Sequence, residues 1–555
     1  MAEGVSILFG LLGGLSIFIF GMNMMSEGMQ KSAGEKMKSI LGILTSNPVL
    51  GMCAGALVTA VLQSSAATTV MVIGFVSAGL MTLPQAISVV FGANIGTTIT
   101  GQLVAFEIDD LIWPIVFVGF ALYFFSKKEK VKNIGETIFA FGLLFLGIVS
   151  MSNVMKPLAE SPVFTEIIRK VSDTPVLGAL TGFVMTVIIQ SSSAVVAIIQ
   201  NFAKQPLTDG VTSIIGLEGA IPMIFGTNIG ATIPSLIAGM GKGKDAKRTA
   251  LSHTVFNISG TLLFLLFIPL FCSLVRLISP KGSVPDDVSV ISRQIANAHT
   301  VFNVVCMLIW LPLCGLMEKI VTFLVPGTEN EVDESTPKYL DEKLYDQPVF
   351  AMHLCTQEIS RIADFADTMM IHSRSAVKNL SQYDIDEVNR LENVVDKLHD
   401  ATERYISNLT ANSSITENQG VQLAGLMHVC NDVEHVGDRC VDIIKVVETM
   451  IKKESFFSEE AAVEIDESFE IAQKMLEDSM NALRNSDKAL ANKVLEDEDK
   501  IDDLEAQLRK KHMKRIKKRK CSPNMSVIYT EVLHNIERIG DHCKNIAEAV
   551  LESGE

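Results

Sequence analysis

Gly55-Ala-Leu-Val-Thr-Ala-Val-Leu-Gln63-Ser64-Ser65-Ala-Ala-Thr68-Thr69 places a polar Gln-Ser-Ser break inside an otherwise apolar segment. The same pattern returns 127 residues later as Gly182-Phe-Val-Met-Thr-Val-Ile-Ile-Gln190-Ser191-Ser192-Ser193. Polar side chains in hydrocarbon cost several kcal/mol unless they are paired or serve a cavity. Only 14 residues, Val49 to Leu62, precede the first break in its apolar run, and the piece before Gln190 is as short. A membrane helix needs about 20. Each piece therefore reads as a re-entrant helix that enters, breaks at Gln-Ser-Ser and returns, which is allowed only where the broken backbone is buried in protein or lines a cavity.

The duplication extends outward from the breaks. Gly21 and Met25 correspond to Gly147 and Met151, and Leu50-Gly51 to Leu177-Gly178. Phe91-Gly-Ala-Asn94-Ile-Gly96-Thr-Thr98 corresponds to Phe225-Gly-Thr-Asn228-Ile-Gly230-Ala-Thr232, with seven extra residues in the second copy. A third echo sets His253-Thr-Val-Phe-Asn257 against His299-Thr-Val-Phe-Asn303. Lys and Arg concentrate on the cytoplasmic side of membrane proteins. That places Lys31, Lys36 and Lys38, the cluster Lys127 to Lys132, and Lys242 to Arg248 inside, and Glu107, Asp109 and Asp110 outside. The first span then runs inward and its counterpart at 133–155 outward, so the repeats are inverted. Inverted repeats with discontinuous helices are the architecture of secondary transporters.

Composition divides the chain. Of 555 residues 48% are hydrophobic, and the apolar runs end near Pro326. We read membrane repeat 1 at 1–132, membrane repeat 2 with an extra terminal span at 133–326, an acidic linker at 327–347 and a helical domain at 348–555. The fold class expected is all-α: a polytopic membrane protein with inverted repeats and two re-entrant hairpins, followed by a pair of three-helix bundles. Residues 5–25 lack the basic start and small-residue cleavage site of a signal peptide and read as a retained span. A net charge of -16 argues against nucleic acid as a partner. Nine cysteines without a Cys-x-x-Cys pair give neither a disulfide framework nor a zinc site.

No Lys or Arg falls in either Gln-Ser-Ser or Gly-x-Asn-Ile-Gly segment. An anion there would be held by hydroxyls, by the amides of Gln63, Gln190, Asn94 and Asn228, and by N–H groups at half-helix N-termini. The same groups offer oxygens suited to a small cation. Binding anion and cation together neutralises charge within the membrane, which favours ion-coupled anion uptake over a single-ion pore. Small residues and hydroxyls also serve simply to pack membrane helices closely, but that account does not explain two matched breaks.

The paired Gln-Ser-Ser motifs, each followed by Gly-x-Asn-Ile-Gly, resemble the type II sodium/phosphate cotransporter family over residues 5–325. The resemblance implies sodium-coupled import of inorganic phosphate, with Na+ as coupling ion and with phosphate contacts at Gln63, Ser64, Ser65, Gln190, Ser191, Ser192 and Ser193. Ala66 departs from the fuller motif, standing where the second copy has Ser193. To these we add Thr68, Thr69, Asn94, Thr98, Asn228 and Thr232 as sodium ligands or supporting groups. His253 and His299 read as structural histidines before they read as proton carriers.

From Gln347 onward the pattern is helical, with breaks near 381–384, 411–414, 454–455, 485–487 and 521–523 that delimit six helices in two sets of three. Each set carries two Glu-x-x-x-Asp pairs: Glu392/Asp396 with Glu434/Asp438, and Glu498/Asp502 with Glu537/Asp541. Carboxylates four apart share a helix face and repel, so a compensating cation is implied. A single pair would be an ordinary solvated face. The doubled bundles are similar to the PhoU family of phosphate-regulatory proteins over 348–553, and by that resemblance the pairs bind a divalent or iron-type metal and the domain restrains or senses phosphate transport. The basic run Arg509 to Lys520 reads as a solvated helix end.

The expectation is a multi-pass protein of the plasma (inner) membrane with its C-terminal domain in the cytoplasm, a sodium–phosphate symporter, with a homo-oligomer left open. The alternative is a phosphate-sensing signalling protein that regulates uptake without transporting. An enzyme is not expected, because the acidic pairs supply no nucleophile or leaving-group acid.

Overall fold

The computed structural model describes residues 2–44, 47–106, 108–159, 161–327, 333–412, 415–518 and 523–552. The described chain is nearly all helical and divides into two compact units, Met1–Asn330 and Glu331–Glu555.

The first copy of the membrane unit contains α1 (Ala2–Leu44), α2 (Pro48–Leu62), α3 (Ser65–Ser77), α4 (Leu83–Gly96), α5 (Thr98–Val104) and α6 (Ile112–Phe125). The second contains α7 (Glu129–Ala159), α8 (Pro162–Asp173), α9 (Pro175–Ile189), α10 (Ser192–Ala203), α11 (Gly216–Gly230) and α12 (Ile233–Gly239). After them come α13 (Lys244–Leu265), α14 (Ile268–Ile278), α15 (Ile291–Trp310) and α16 (Cys314–Leu324). Among the described residues four stretches are long and apolar enough to cross a bilayer: Val5–Ser32, Leu83–Val104, Glu129–Met155 and Gly216–Gly239.

Helices α1 and α7 hold the sequence-matched glycines Gly21 and Gly147, and they pack backbone to backbone. Gly14 meets Met151 and Gly147, Gly21 meets Leu144 and Ala140, and Gly28 meets Thr137 and Asn133. As the number rises along α1 it falls along α7, so the two matched helices are antiparallel. Lys31 on α1 pairs with the buried Glu136 on α7 at 3.0 Å. Such a pair joins the helices at one register but adds little net stability once desolvation is counted.

The apolar runs at 249–275 and 297–325 are not the single straight spans their composition suggests. Helices α13 and α14 are bent by 95°, and α15 and α16 by 88°. Pro269 at the start of α14 and Pro312 between α15 and α16 have no N–H to continue a helix, which accounts for both corners.

The second unit contains α17 (Pro348–Asn379), α18 (Gln382–Asn412), α19 (Glu417–Lys452), α20 (Glu459–Asn485), α21 (Lys488–Lys517) and α22 (Pro523–Glu552). The breaks are made locally. Leu380 and Ser486 close their helices in the left-handed conformation, and Thr416 opens α19 with a capping box to Gln419. The later part of the expected linker is bound to this unit. The buried Glu358 carboxylate accepts the N–H groups of Lys338 and Tyr339 and an Arg361 N–H, and Tyr405 donates to the Asp341 carbonyl.

Candidate functional site in the membrane unit

The two Gln-Ser-Ser breaks are built alike. Helix α2 ends at Gln63 with φ 52° and ψ 21°, and α9 ends at Gln190 with φ 57° and ψ 20°. A left-handed Gln lacks the freedom of glycine and costs about 1–2 kcal/mol, and strain of this kind gathers at functional sites. Ser64 and Ser191 then turn extended and act as N-caps, their hydroxyls accepting the N–H of Ala67 and of Ala194 at 3.1 and 3.2 Å. Each break thereby turns the N–H groups of a new helix, α3 or α10, toward the chain reversal, where the helix dipole favours an anion.

Glycines hold each break against its Gly-x-Asn helix. A Cβ on Gly92 would collide with the Met52 carbonyl across α2 and α4, and one on Gly226 would collide with the Ala179 carbonyl across α9 and α11. Close backbone approach is thus the role of the first glycine in Gly-x-Asn-Ile-Gly.

The asparagines of that motif face the third echo. Asn94 Oδ1 accepts from His253 Nε2 at 3.1 Å and from Asn257 Nδ2 at 3.0 Å. Asn228 Oδ1 accepts from His299 Nε2 at 3.0 Å. All five residues are buried. With two bonds accepted, Asn94 Oδ1 has no lone pair left for an ion and is a supporting group in this state. His253 Nδ1 is matched by the Ser235 hydroxyl at 3.3 Å, whereas among the described residues His299 Nδ1 and Asn228 Nδ2 are buried without a partner, as are Asn257 Oδ1 and Asn303 Oδ1 in both copies.

The remaining residues differ between copies. Thr59 donates to the Thr68 hydroxyl at 2.8 Å across the first break, and Thr69 donates to the Ser65 carbonyl at 2.8 Å; the second copy has Val195 and Val196 where Thr68 and Thr69 stand. Thr98 and Thr232 each donate to the carbonyl three residues earlier at 2.8 Å, leaving their oxygens able to accept or ligate. Ser65, Ser192 and Ser193 are buried, Ser64 and Ser191 half-buried. Ser193 lies 3.5 Å from Thr97, a contact between the copies. Gln63 is 5% exposed and its Oε1 accepts from Thr100 at 2.6 Å, whereas Gln190 is exposed. Sequence reading missed Thr97, Thr100 and Ser235. The signal available was their place just beyond the Gly-x-Asn-Ile-Gly match.

In the second unit, α18 and α19 bring Glu392, Asp396, Glu434 and Asp438 near one another, and α21 and α22 do the same with Glu498, Asp502, Glu537 and Asp541. Burial first, then neighbouring carboxylates, raises Glu392, Asp396, Glu434, Asp502 and Glu537 above the usual carboxylate range. Potential ligand atoms of Glu434, His435 and Asp438 lie within 4.8 Å of one another, as do those of Glu498, Asp502 and Asp541. The first set offers two carboxylates and an imidazole, the second three carboxylates, and both donor sets fit a cation. The second differs in that Lys544 donates to Glu498 at 2.9 Å.

The pattern of the Na+/Pi-cotransporter family matches residues 17–153 and again 148–284, and that of the PhoU domain matches 359–447 and 465–550. The chain belongs to the Na+/Pi-cotransporter family, as a membrane protein carrying C-terminal PhoU domains. The uncharacterized protein YqeW of Bacillus subtilis is 32% identical over 310 residues, 56% of this chain and 95% of that protein. The putative inorganic phosphate export protein YjbB of Salmonella typhimurium is 24% identical over 553 residues, 98% of this chain and 97% of the relative. Human sodium-dependent phosphate transport protein 2B is 38% identical over 105 residues, 19% of this chain and 15% of that protein.

Proposed function

We propose that the chain is a sodium-coupled secondary transporter that imports inorganic phosphate, and that its PhoU-like unit regulates it from the cytoplasm. The observation that carries this reading is the pair of matched breaks, each a left-handed Gln followed by an N-capping Ser, in a chain of this family. Phosphate is held by Gln63, Ser64, Ser65, Gln190, Ser191, Ser192 and Ser193, and by the helix N-termini of α3 and α10. Sodium takes the oxygens of Thr98, Thr232 and Asn228, with Thr68, Thr69 and Asn94 in support. The antiparallel seating of α1 on α7 supports inverted repeats, and the short helices before each break support re-entrant hairpins. Alternating access then comes from rocking of one repeat against the other. The acidic clusters of the PhoU-like unit take a divalent or iron-type metal that holds its helices together, and the chain has no catalytic role of its own.

Export is the second reading, favoured by full-length relatives named for it. A symporter runs down the sum of its gradients, so one preparation decides both questions. Full-length protein in proteoliposomes is given radiolabelled phosphate with sodium gradients imposed inward, outward or replaced by potassium. Import coupling predicts accumulation with inward sodium and a loss of more than tenfold in Gln190→Ala and Ser193→Ala. Flux indifferent to sodium removes the coupling, and absence of flux in every arm removes the transporter in favour of a sensor.

A further inference from the structure

The sharpest departure from two-fold equivalence lies in one dipeptide. After Gly-x-Asn-Ile-Gly the first copy continues Thr97-Thr98-Ile99-Thr100-Gly101 and the second Ala231-Thr232-Ile233-Pro234-Ser235. Thr100 sits on α5 and gives its hydroxyl hydrogen to Gln63 Oε1 at 2.6 Å. Gln63 Nε2 donates to the Ala60 carbonyl. Both ends of the Gln63 amide are therefore held in one orientation by protein, within a buried setting. Pro234 occupies the matched place on α12 and has no hydroxyl to give. Among the described residues nothing bonds the Gln190 side chain, which is exposed.

To turn its amide toward a ligand oxygen Gln63 must give up these bonds, whereas the Gln190 side chain turns freely and is ready to donate. Thr68 reinforces the difference, since its bond to Thr59 ties the two helices of the first break together and Val195 makes no such bond in the second.

We propose that Thr100 is a latch on Gln63, a positioning residue that holds the first break closed until phosphate has been captured at the second, and that Pro234 leaves the second break free to make that capture. The inference rests on the phosphate-binding reading of the two breaks but not on sodium coupling or on the direction of transport. It predicts that the latch works against binding. Removing it strengthens phosphate binding, whereas a purely structural hydrogen bond would weaken binding when removed.

The test is calorimetric titration of inorganic phosphate into the full-length protein in detergent and sodium chloride, alongside transport kinetics. Thr100→Val, which keeps the shape and removes the donor, is expected to bind about fivefold more tightly, the scale of one neutral hydrogen bond. Thr100→Ser restores the donor and is expected to return to the wild-type value. Pro234→Thr supplies the second break with the missing hydroxyl and is expected to bind about fivefold more weakly. In transport, Thr100→Val is expected to lower KM while kcat changes less than KM does. Unchanged or weakened binding in Thr100→Val, or binding in Pro234→Thr that is unchanged or tighter, overturns the latch. Failure of wild-type protein to bind phosphate at all strikes instead at the functional reading on which it rests.

Discussion

The two Gln-Ser-Ser breaks share a backbone and differ in what their side chains are allowed to do. Both glutamines are left-handed, both following serines are N-caps, and both are pressed by glycine contacts onto a partner helix. Yet Gln63 is bound at both ends while Gln190 is exposed. The contact between copies repeats the lesson. Ser193 approaches Thr97, and the matched positions Ala66 and Ala231 carry no hydroxyl at all. The two matched stretches keep the geometry, which demands particular backbone angles and close approach, and differ in the side chains placed on it.

The largest effects should fall where the copies agree. Gly92→Leu and Gly226→Leu each drive a side chain into a facing carbonyl, and each should cost about 3 kcal/mol or more, read as loss of folded protein in a detergent thermal melt. A clear inequality between them would break the comparison. Next come the asparagines. Asn94→Ala strands the bonds from His253 and Asn257 and should cost about 3 kcal/mol, against about 1.5 for Asn228→Ala, which strands His299 alone; equal losses would count against the difference between the clasps.

The acidic clusters offer a parallel comparison in the second unit. A carboxylate whose folded pKa is raised stabilises the fold fully below its unfolded value, near 4, and that contribution is lost as pH rises through the folded value. Burial and crowding raise Glu392, Asp396 and Glu434 in one cluster and Asp502 and Glu537 in the other. Added Mn2+ should therefore raise the melting temperature by several degrees at pH 7 and by progressively less as the pH is lowered toward 4, where protons compete for the same carboxylates. Lys544→Ala should enlarge the gain at neutral pH by vacating the second cluster. The smallest effect concerns His299. A Cβ on Gly101 would lie 3.7 Å from His299 Nδ1 and 3.5 Å from Val196, so Gly101→Ser has room to supply the partner that Ser235 gives His253. We expect a gain of about 1 kcal/mol in a denaturation series, and no gain would mean the hydroxyl points elsewhere.

Much of this was readable beforehand, and the boundary is physical. The breaks, the doubled pattern and the six helices of the second unit are written in local signals, such as hydrophobic runs, caps and turn residues. The His-Thr-Val-Phe-Asn echo was visible, but its role was not. His253 reaches Asn94 across 159 residues of sequence and His299 reaches Asn228 across 71. Spacing along one helix says nothing of a partner that far away. The right-angle corners at Pro269 and Pro312 were hidden for a different reason, since an apolar run reads the same whether it is straight or folded over.

The breaks and the Gly-x-Asn segments contain no ionised side chain. In the transport cycle proposed above, the empty site then carries no formal charge of its own as it swings between the two sides. Its return is electrically silent, and the membrane potential acts only on the loaded step, through whatever imbalance remains between sodium and phosphate. The ratio of ions bound, rather than any residue of the site, sets how strongly voltage drives the carrier.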